Sequence, residues 1–388
     1  MSAARRRAAA APSWELALGA AAFSLIGLGL VMVASASLHL GDRLGDTFHF
    51  VSRHLFALVL GTTAALVVVQ LPTRWWLRAS TPLYFVGLAA LLVVLIPGLG
   101  KEVNGAVRWI ALGPFNLQTS EYMKLFLVLY LAGYLVRRKA EVTHSFWAFF
   151  RPMILLLLAA MLLMAQPDFG TAVVLLATAL AMLFLGGAPL WQFALLVAGA
   201  LASLAVLVVV SPYRLERVTS FLNPWSDPFG SGYQLSQALI AFGRGEWFGV
   251  GLGNGIQKQF YLPEAHTDFV MAVIGEEFGL LGTLLIVALF SVIIWRAFAI
   301  GAAAERRDAR YAAYVAYGLG LWIGMQAFIN IGVNMGMLPT KGLTLPFISY
   351  GSNSLIVCCL AVGMLLRIHA ENSRSGDGLS KEGAWQRA

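Results

Sequence analysis

The sequence predicts an all-α, polytopic integral membrane protein of about ten transmembrane helices, both termini cytoplasmic, with a long extracytoplasmic loop between helices 7 and 8. Three observations carry that prediction. Hydrophobic residues fill 59% of the 388 positions and charged residues only 12%, against roughly 25% charged in an average soluble domain. Ten segments approach the ~20 apolar residues that a spanning helix needs. Lysines and arginines gather in alternate connections, as they do in cytoplasmic loops. So few charges cannot cover a soluble surface. Cytosolic, disordered and disulfide-rich secreted classes are therefore excluded. The net charge of +8 follows from the basic loops and does not point to nucleic acid.

The predicted spans are 14–38, 51–71, 82–96, 121–136, 152–165, 170–185, 190–210, 269–299, 312–335 and 346–366. The first follows Arg5, Arg6 and Arg7 and is longer than the apolar run of a signal peptide, so it reads as a retained anchor. Alternation then puts Arg74, Arg78, Arg137, Arg138, Lys139, Arg306, Arg307, Arg310 and Arg367 on the cytoplasmic side. Residues 1–13 form a cytoplasmic lead, 14–367 a single membrane domain, and 368–388 a polar tail expected to be disordered. The adjacent Cys358 and Cys359 sit in an apolar run and read as packing residues.

The opposite face carries three connections, 97–120, 211–268 and 336–345. Loops beyond about 15 residues are usually functional, so the 211–268 loop places function on the extracytoplasmic face. Within it, Tyr233 to Phe242 has apolar positions at helical spacing, which predicts a helix lying on the membrane surface.

An ionisable residue near membrane depth is a functional candidate. Asp268 ends Leu262-Pro263-Glu264-Ala265-His266-Thr267-Asp268. It reads either as a helix-start residue complementing the dipole or, beside His266, as a general base for a substrate hydroxyl. Glu276 and Glu277 read as buried hydrogen-bonding residues. Arg108 suits bidentate contact with phosphate, while Glu121 and Lys124 are i,i+3 neighbours that can pair. Lys341 is a cation on the wrong side of the positive-inside trend, consistent with anion binding or with snorkelling. The same region ends in Ser349-Tyr350-Gly351-Ser352. Asp168, three residues before Thr171, reads as a helix cap.

The strings Asn223 to Gly243, Leu262 to Gly279 and Leu338 to Gly351 resemble the SEDS family (shape, elongation, division and sporulation) and its division branch more than its elongation branch. One departure is visible: Tyr350-Gly351-Ser352-Asn353 stands where the family usually reads Tyr-Gly-Gly-Ser. The resemblance implies a peptidoglycan glycosyltransferase of the bacterial inner membrane at the division septum. It would polymerise lipid II by inverting transfer and release undecaprenyl pyrophosphate. It implies Asp268 as the catalytic base, with Arg108, Glu121, Lys124, Lys341, His266 and Ser349 toward substrate and pyrophosphate. No tightly bound cofactor is implied; a divalent cation, magnesium or manganese, held between phosphate and carboxylate is an option. The implied partners are a class B penicillin-binding protein of the FtsI type, bitopic divisome regulators and membrane lipid. Two other readings stand beside this one, a lipid II flippase and a non-catalytic divisome scaffold.

Overall fold

The computed structural model describes residues 12–385 apart from 104, 114, 139–145, 341 and most of 188–220. Its helices are α1 (Pro12–Arg43), α2 (His49–Gln70), α3 (Thr73–Val94), α4 (Thr119–Arg137), α5 (Phe146–Ala165), α6 (Phe169–Leu185), α7 (Tyr233–Gly245), α8 (Val270–Glu305), α9 (Arg310–Asn334) and α10 (Ser352–Trp385). Six helices of the described residues are long and apolar enough to cross a membrane, and α6 with most of α5 adds shorter apolar helices. The chain is a multi-pass membrane protein. Nine of the ten predicted spans correspond to α1–α6 and α8–α10; the predicted span 190–210 falls largely outside the described residues, as does the lead before residue 12.

Four features differ from the sequence prediction. First, α3 begins at Thr73 and α5 at Phe146, with Pro82 and Pro152 inside them. Membrane helices tolerate an internal proline because neighbouring groups satisfy the freed carbonyl. Second, the fold is not purely helical. The connection after α3 folds into a three-stranded antiparallel sheet of β1 (Gly100–Val103), β2 (Ala106–Leu112) and β3 (Phe115–Gln118), in the order β1-β2-β3. Third, α10 runs on past Arg367, beyond the predicted end of the last span. The continuation is tied down locally: Arg367 pairs with Glu371 at 2.8 Å, Glu371 accepts from the Thr73 amide at 3.0 Å, and Asn372 donates to the Ile300 carbonyl at 3.1 Å. Fourth, α7 does not simply lie on a membrane surface. Leu235, Ala238 and Ala241 are buried against protein, and at Gly245 a Cβ would stand 1.8 Å from the Gly275 carbonyl of α8.

The bundle is built around α4 and α9. α4 is buried from Thr119 to Leu135 at nearly every position, so it has no lipid face. Cys358 and Cys359 are free and buried in the wall facing α4 and α2. The connections α1–α2, α3–α4, α5–α6, α7–α8 and α9–α10 all supply or flank residues of one cavity at one end of the bundle, described next.

Candidate active site

A cavity of about 530 Å³ opens at the sheet end of the bundle. Each side of it comes from a different connection. The start of α2 gives Arg53 and Phe56, β2 gives Arg108 and Trp109, and the α5–α6 turn gives Asp168. The turn before α8 gives Glu264, His266 and Asp268, and the α9–α10 segment gives Gly342, Thr344, Tyr350 and Asn353.

Asp268 is fixed through its backbone. Its carbonyl accepts from the side-chain amides of Asn330 and Asn334, both at 2.9 Å. Asn334 in turn accepts from the Ala272 amide at 3.1 Å, and Asn330 also donates to the Leu343 carbonyl. Two asparagines one turn apart on α9 therefore lock the α8 entry to the α9–α10 segment. The carboxylate is left free: no described side chain hydrogen-bonds it, and its Oδ2 lies 3.1 Å from where a Cβ on Gly342 would stand. Burial, reinforced by the nearby Glu264 charge, pushes its pKa up to about 7 against the pull of Arg108. Such a group is divided between acid and base near neutral pH, which suits a general base.

His266 has its ring against Phe50 at 5.1 Å and Tyr350 at 5.6 Å. Burial holds its pKa below the ordinary histidine value, so the ring is neutral. Arg108 turns its guanidinium onto the carbonyls of Gln166, at 3.3 Å, and Pro167. Arg53 bonds the Tyr350 side chain. Asp168 caps α6, accepting from the Thr171 amide at 3.4 Å, as its spacing predicted. Its second oxygen is buried without a partner. The same holds for Glu121 Oε2, His266 Nδ1 and Asn353 Oδ1, and all four residues line the cavity. A buried polar atom without a partner is costly and rare. These four are polar atoms that a ligand or water in the cavity can meet.

Of the sequence candidates, Asp268, Arg108, Glu121 and His266 come together here. Lys124 and Ser349 do not line the cavity. Lys124 is 1% exposed beneath Glu121. Its ammonium bonds Glu121 at 2.9 Å and Gln326 at 2.7 Å, so it supports the floor and does not offer itself to an anion. Ser349 is buried and accepts the Leu345 amide at 2.7 Å, closing a turn. Lys341 lies outside the described residues. Arg53, Asn353 and the free oxygen of Asp168 were not anticipated. Arg53 carried a usable signal: it is an arginine at the extracytoplasmic start of a span, against the positive-inside trend that singled out Lys341.

The deeper acids behave differently. α8 is broken at Gly279, whose φ is 64° and ψ −158°. The break frees backbone groups, and the chain after α7 meets all of those named here. Val250 and Gly251 donate to the carbonyls of Glu276 and Glu277, while Leu280 and Leu281 donate to those of Glu246 and Trp247. The Glu276 side chain pairs with Arg244 at 2.9 Å and accepts the amides of Ile256 and Gln257. Glu277 pairs with the buried Lys258, and Ser35 of α1 bonds both. Among the described residues no cluster of three or more His, Cys, Asp or Glu could hold a metal ion.

Residues 16–374 match the family model for the cell cycle proteins FtsW, RodA and SpoVE. The chain is 56% identical to the Probable peptidoglycan glycosyltransferase FtsW of Allochromatium vinosum, over 95% of this chain and 93% of that one. It is 54% identical to the protein of the same name from Thioalkalivibrio sulfidiphilus, over 93% and 91%. Among solved structures it is similar to a chain from work on the structural coordination of polymerization and crosslinking by a peptidoglycan synthase complex. That match has a TM-score of 0.72 at 32% identity, covering 90% of this chain and 98% of that one. It is also similar to the rod shape determining protein RodA of Thermus thermophilus, with a TM-score of 0.68 at 29% identity, covering 92% and 97%.

Proposed function

The chain belongs to the FtsW, RodA and SpoVE family of cell cycle proteins, and from that premise we propose how its cavity works. It is a peptidoglycan glycosyltransferase of the cell wall and division machinery. We assign it lipid II as substrate and the septal inner membrane as its place of action, with a class B penicillin-binding protein crosslinking the strand it makes. Bitopic divisome regulators complete the assembly.

The observation that carries the mechanism is the free Asp268 carboxylate in a cavity that also holds Arg53 and Arg108. The acceptor is the 4-hydroxyl of a GlcNAc unit and the donor is the anomeric carbon of a MurNAc unit. Asp268 takes the hydroxyl proton as the oxygen attacks. The bond from the anomeric carbon to the pyrophosphate oxygen breaks, and its electron pair leaves with undecaprenyl pyrophosphate. One displacement turns the α-linked donor into a β-linkage. Charge grows on the departing phosphate, and cations fixed in advance near it lower the barrier. Arg53 and Arg108 are the described cations available, and Lys341 keeps its assignment from the sequence alone. A magnesium or manganese ion held between the substrate's phosphate and a carboxylate such as Asp268 would add to that charge stabilisation. Both reactants are lipid-tethered, which raises their effective concentration at an outer-leaflet site.

The flippase reading needs polar groups free to bind cargo at mid-membrane. The deep polar residues Glu276, Glu277, Asn330 and Asn334 are all engaged with protein partners. The test is the full chain with its penicillin-binding protein and labelled lipid II. Glycan ladders on a gel are expected. Absence of ladders, with lipid II crossing liposome membranes, would overturn the enzyme reading in favour of transport.

A further inference from the structure

We propose that Asn353 is a specificity residue: its side-chain oxygen accepts a hydrogen bond from an amide N–H of the substrate, at the wall where β3 meets the first turn of α10. The inference rests on lipid II as the substrate, whose sugar acetamido groups and stem peptide both offer such an N–H. Asn353 is 5% exposed and lines the cavity. Its Nδ2 donates to the Asn116 carbonyl of β3 at 2.8 Å. A carbonyl can only accept, so this bond fixes which end of the carboxamide is which. The nitrogen faces β3 and the oxygen is turned away from it. That oxygen is buried without a partner. A buried acceptor costs free energy until a donor meets it.

The wall around it is tied down and rich in amides. Asn116 and Gln118 stand two apart on β3, hence on one face of the strand, and both line the cavity. Beside them the Leu355 amide donates to the Gly351 carbonyl at 2.9 Å, the first bond of the α10 ladder. The amides of Ser352, Asn353 and Ser354 precede that bond and have no acceptor in the helix; all three residues line the cavity. The Ser354 hydroxyl accepts from Thr344 at 3.1 Å, and the Thr344 carbonyl accepts from Gln326 of α9 at 2.9 Å. The first turn of α10 is thus held to α9 on one side and to β3 on the other. A phosphate or carboxylate offers only acceptors and would leave the Asn353 oxygen unmet; Arg53 and Arg108 suit such a group better. An amide offers an N–H for that oxygen and a carbonyl for the donors of this wall. Asn353 stands where the family usually has serine. A serine hydroxyl turns its hydrogen to suit either role, whereas the anchored carboxamide presents an acceptor alone.

The experiment uses the full chain with its penicillin-binding protein and measures binding of labelled lipid II beside its polymerisation. Three ligands are compared: intact lipid II, lipid II with ester oxygens in place of the acetamido nitrogens, and lipid II without its stem peptide. Asn353→Ala should weaken binding of intact lipid II by roughly 2- to 12-fold, the scale of one neutral hydrogen bond. KM should rise with Kd while kcat changes little. For one of the two analogues, variant and wild type should bind alike, because the N–H that Asn353 meets is already gone. The analogue that behaves so identifies the amide, acetamido or peptide. Asn353→Ser, which carries the residue usual in the family, should weaken binding less in the same pattern and covers the case in which the alanine variant does not fold. The proposal is overturned if folded Asn353→Ala binds intact lipid II as wild type does, which leaves the oxygen to water, or if it weakens all three ligands equally, which makes Asn353 a structural link between β3 and α10. Wild type that binds none of the three overturns the premise of lipid II as substrate. Wild type that binds lipid II and makes no glycan fails as a polymerase, and the three affinities still decide the role of Asn353.

Discussion

The two acidic centres of this protein use similar residues to opposite ends. At the Gly279 break, Glu276 and Glu277 are 0% and 1% exposed, and each meets a basic side chain and further donors. At the sheet end, Asp268 has no described side-chain partner, and Asp168 and Glu121 each keep one buried oxygen unpaired. Burial of charge is costly unless it is paired. The first centre is paired and holds a broken helix together. The second keeps acceptors free that the fold itself does not need, which is the arrangement expected of a site awaiting substrate. A buried carboxylate in a membrane protein is therefore not diagnostic by itself; whether the fold already answers its hydrogen bonds is.

That contrast can be broken or sharpened by substitution. The largest effect should be on catalysis: Asp268→Asn should lower polymerisation by about 10²- to 10⁴-fold, the usual worth of a general base, measured as glycan chain yield from labelled lipid II. Next is Lys258→Met, which strands Glu277 in the interior. Breaking a buried pair costs about 3–5 kcal/mol, so the detergent-solubilised protein should melt well below wild type. Arg53→Gln should leave the melting temperature near wild type and lower kcat/KM by roughly tenfold or more, the scale of one charge-assisted hydrogen bond. The smallest is Ser35→Ala at the edge of the Glu277–Lys258 pair, at about 1 kcal/mol of stability, read from the same melting curves, with polymerisation intact.

The sequence revealed the membrane class and four residues of the candidate site because both depend on local signals. Long apolar runs mark spans, and charges out of place mark function. Asp268, Arg108, Glu121 and His266 were found that way. Lys124 pairs with Glu121 as their spacing allowed, but an i,i+3 pair says nothing about what lies above it; its depth comes from α9, which delivers Gln326 and Trp322 to the ammonium. The sheet at Gly100–Gln118 was invisible because its strands are only 4, 7 and 4 residues long. The break in α8 was hidden for another reason. Apolar residues continue through Gly279, and the partners that satisfy the break come from about thirty residues earlier in the chain. The extension of α10 likewise depends on Thr73 and Ile300, which composition near the terminus cannot report.

The contrast between the two centres is tested most directly by two variants compared in one assay. Asp268→Asn and Glu277→Gln would each be purified with the partner penicillin-binding protein, their melting recorded, and glycan ladders from labelled lipid II measured at a temperature where both are folded. The account predicts that Asp268→Asn melts like wild type and makes no ladder, while Glu277→Gln melts lower and still makes ladders. Ladders from folded Asp268→Asn, or their loss from folded Glu277→Gln alone, would contradict it.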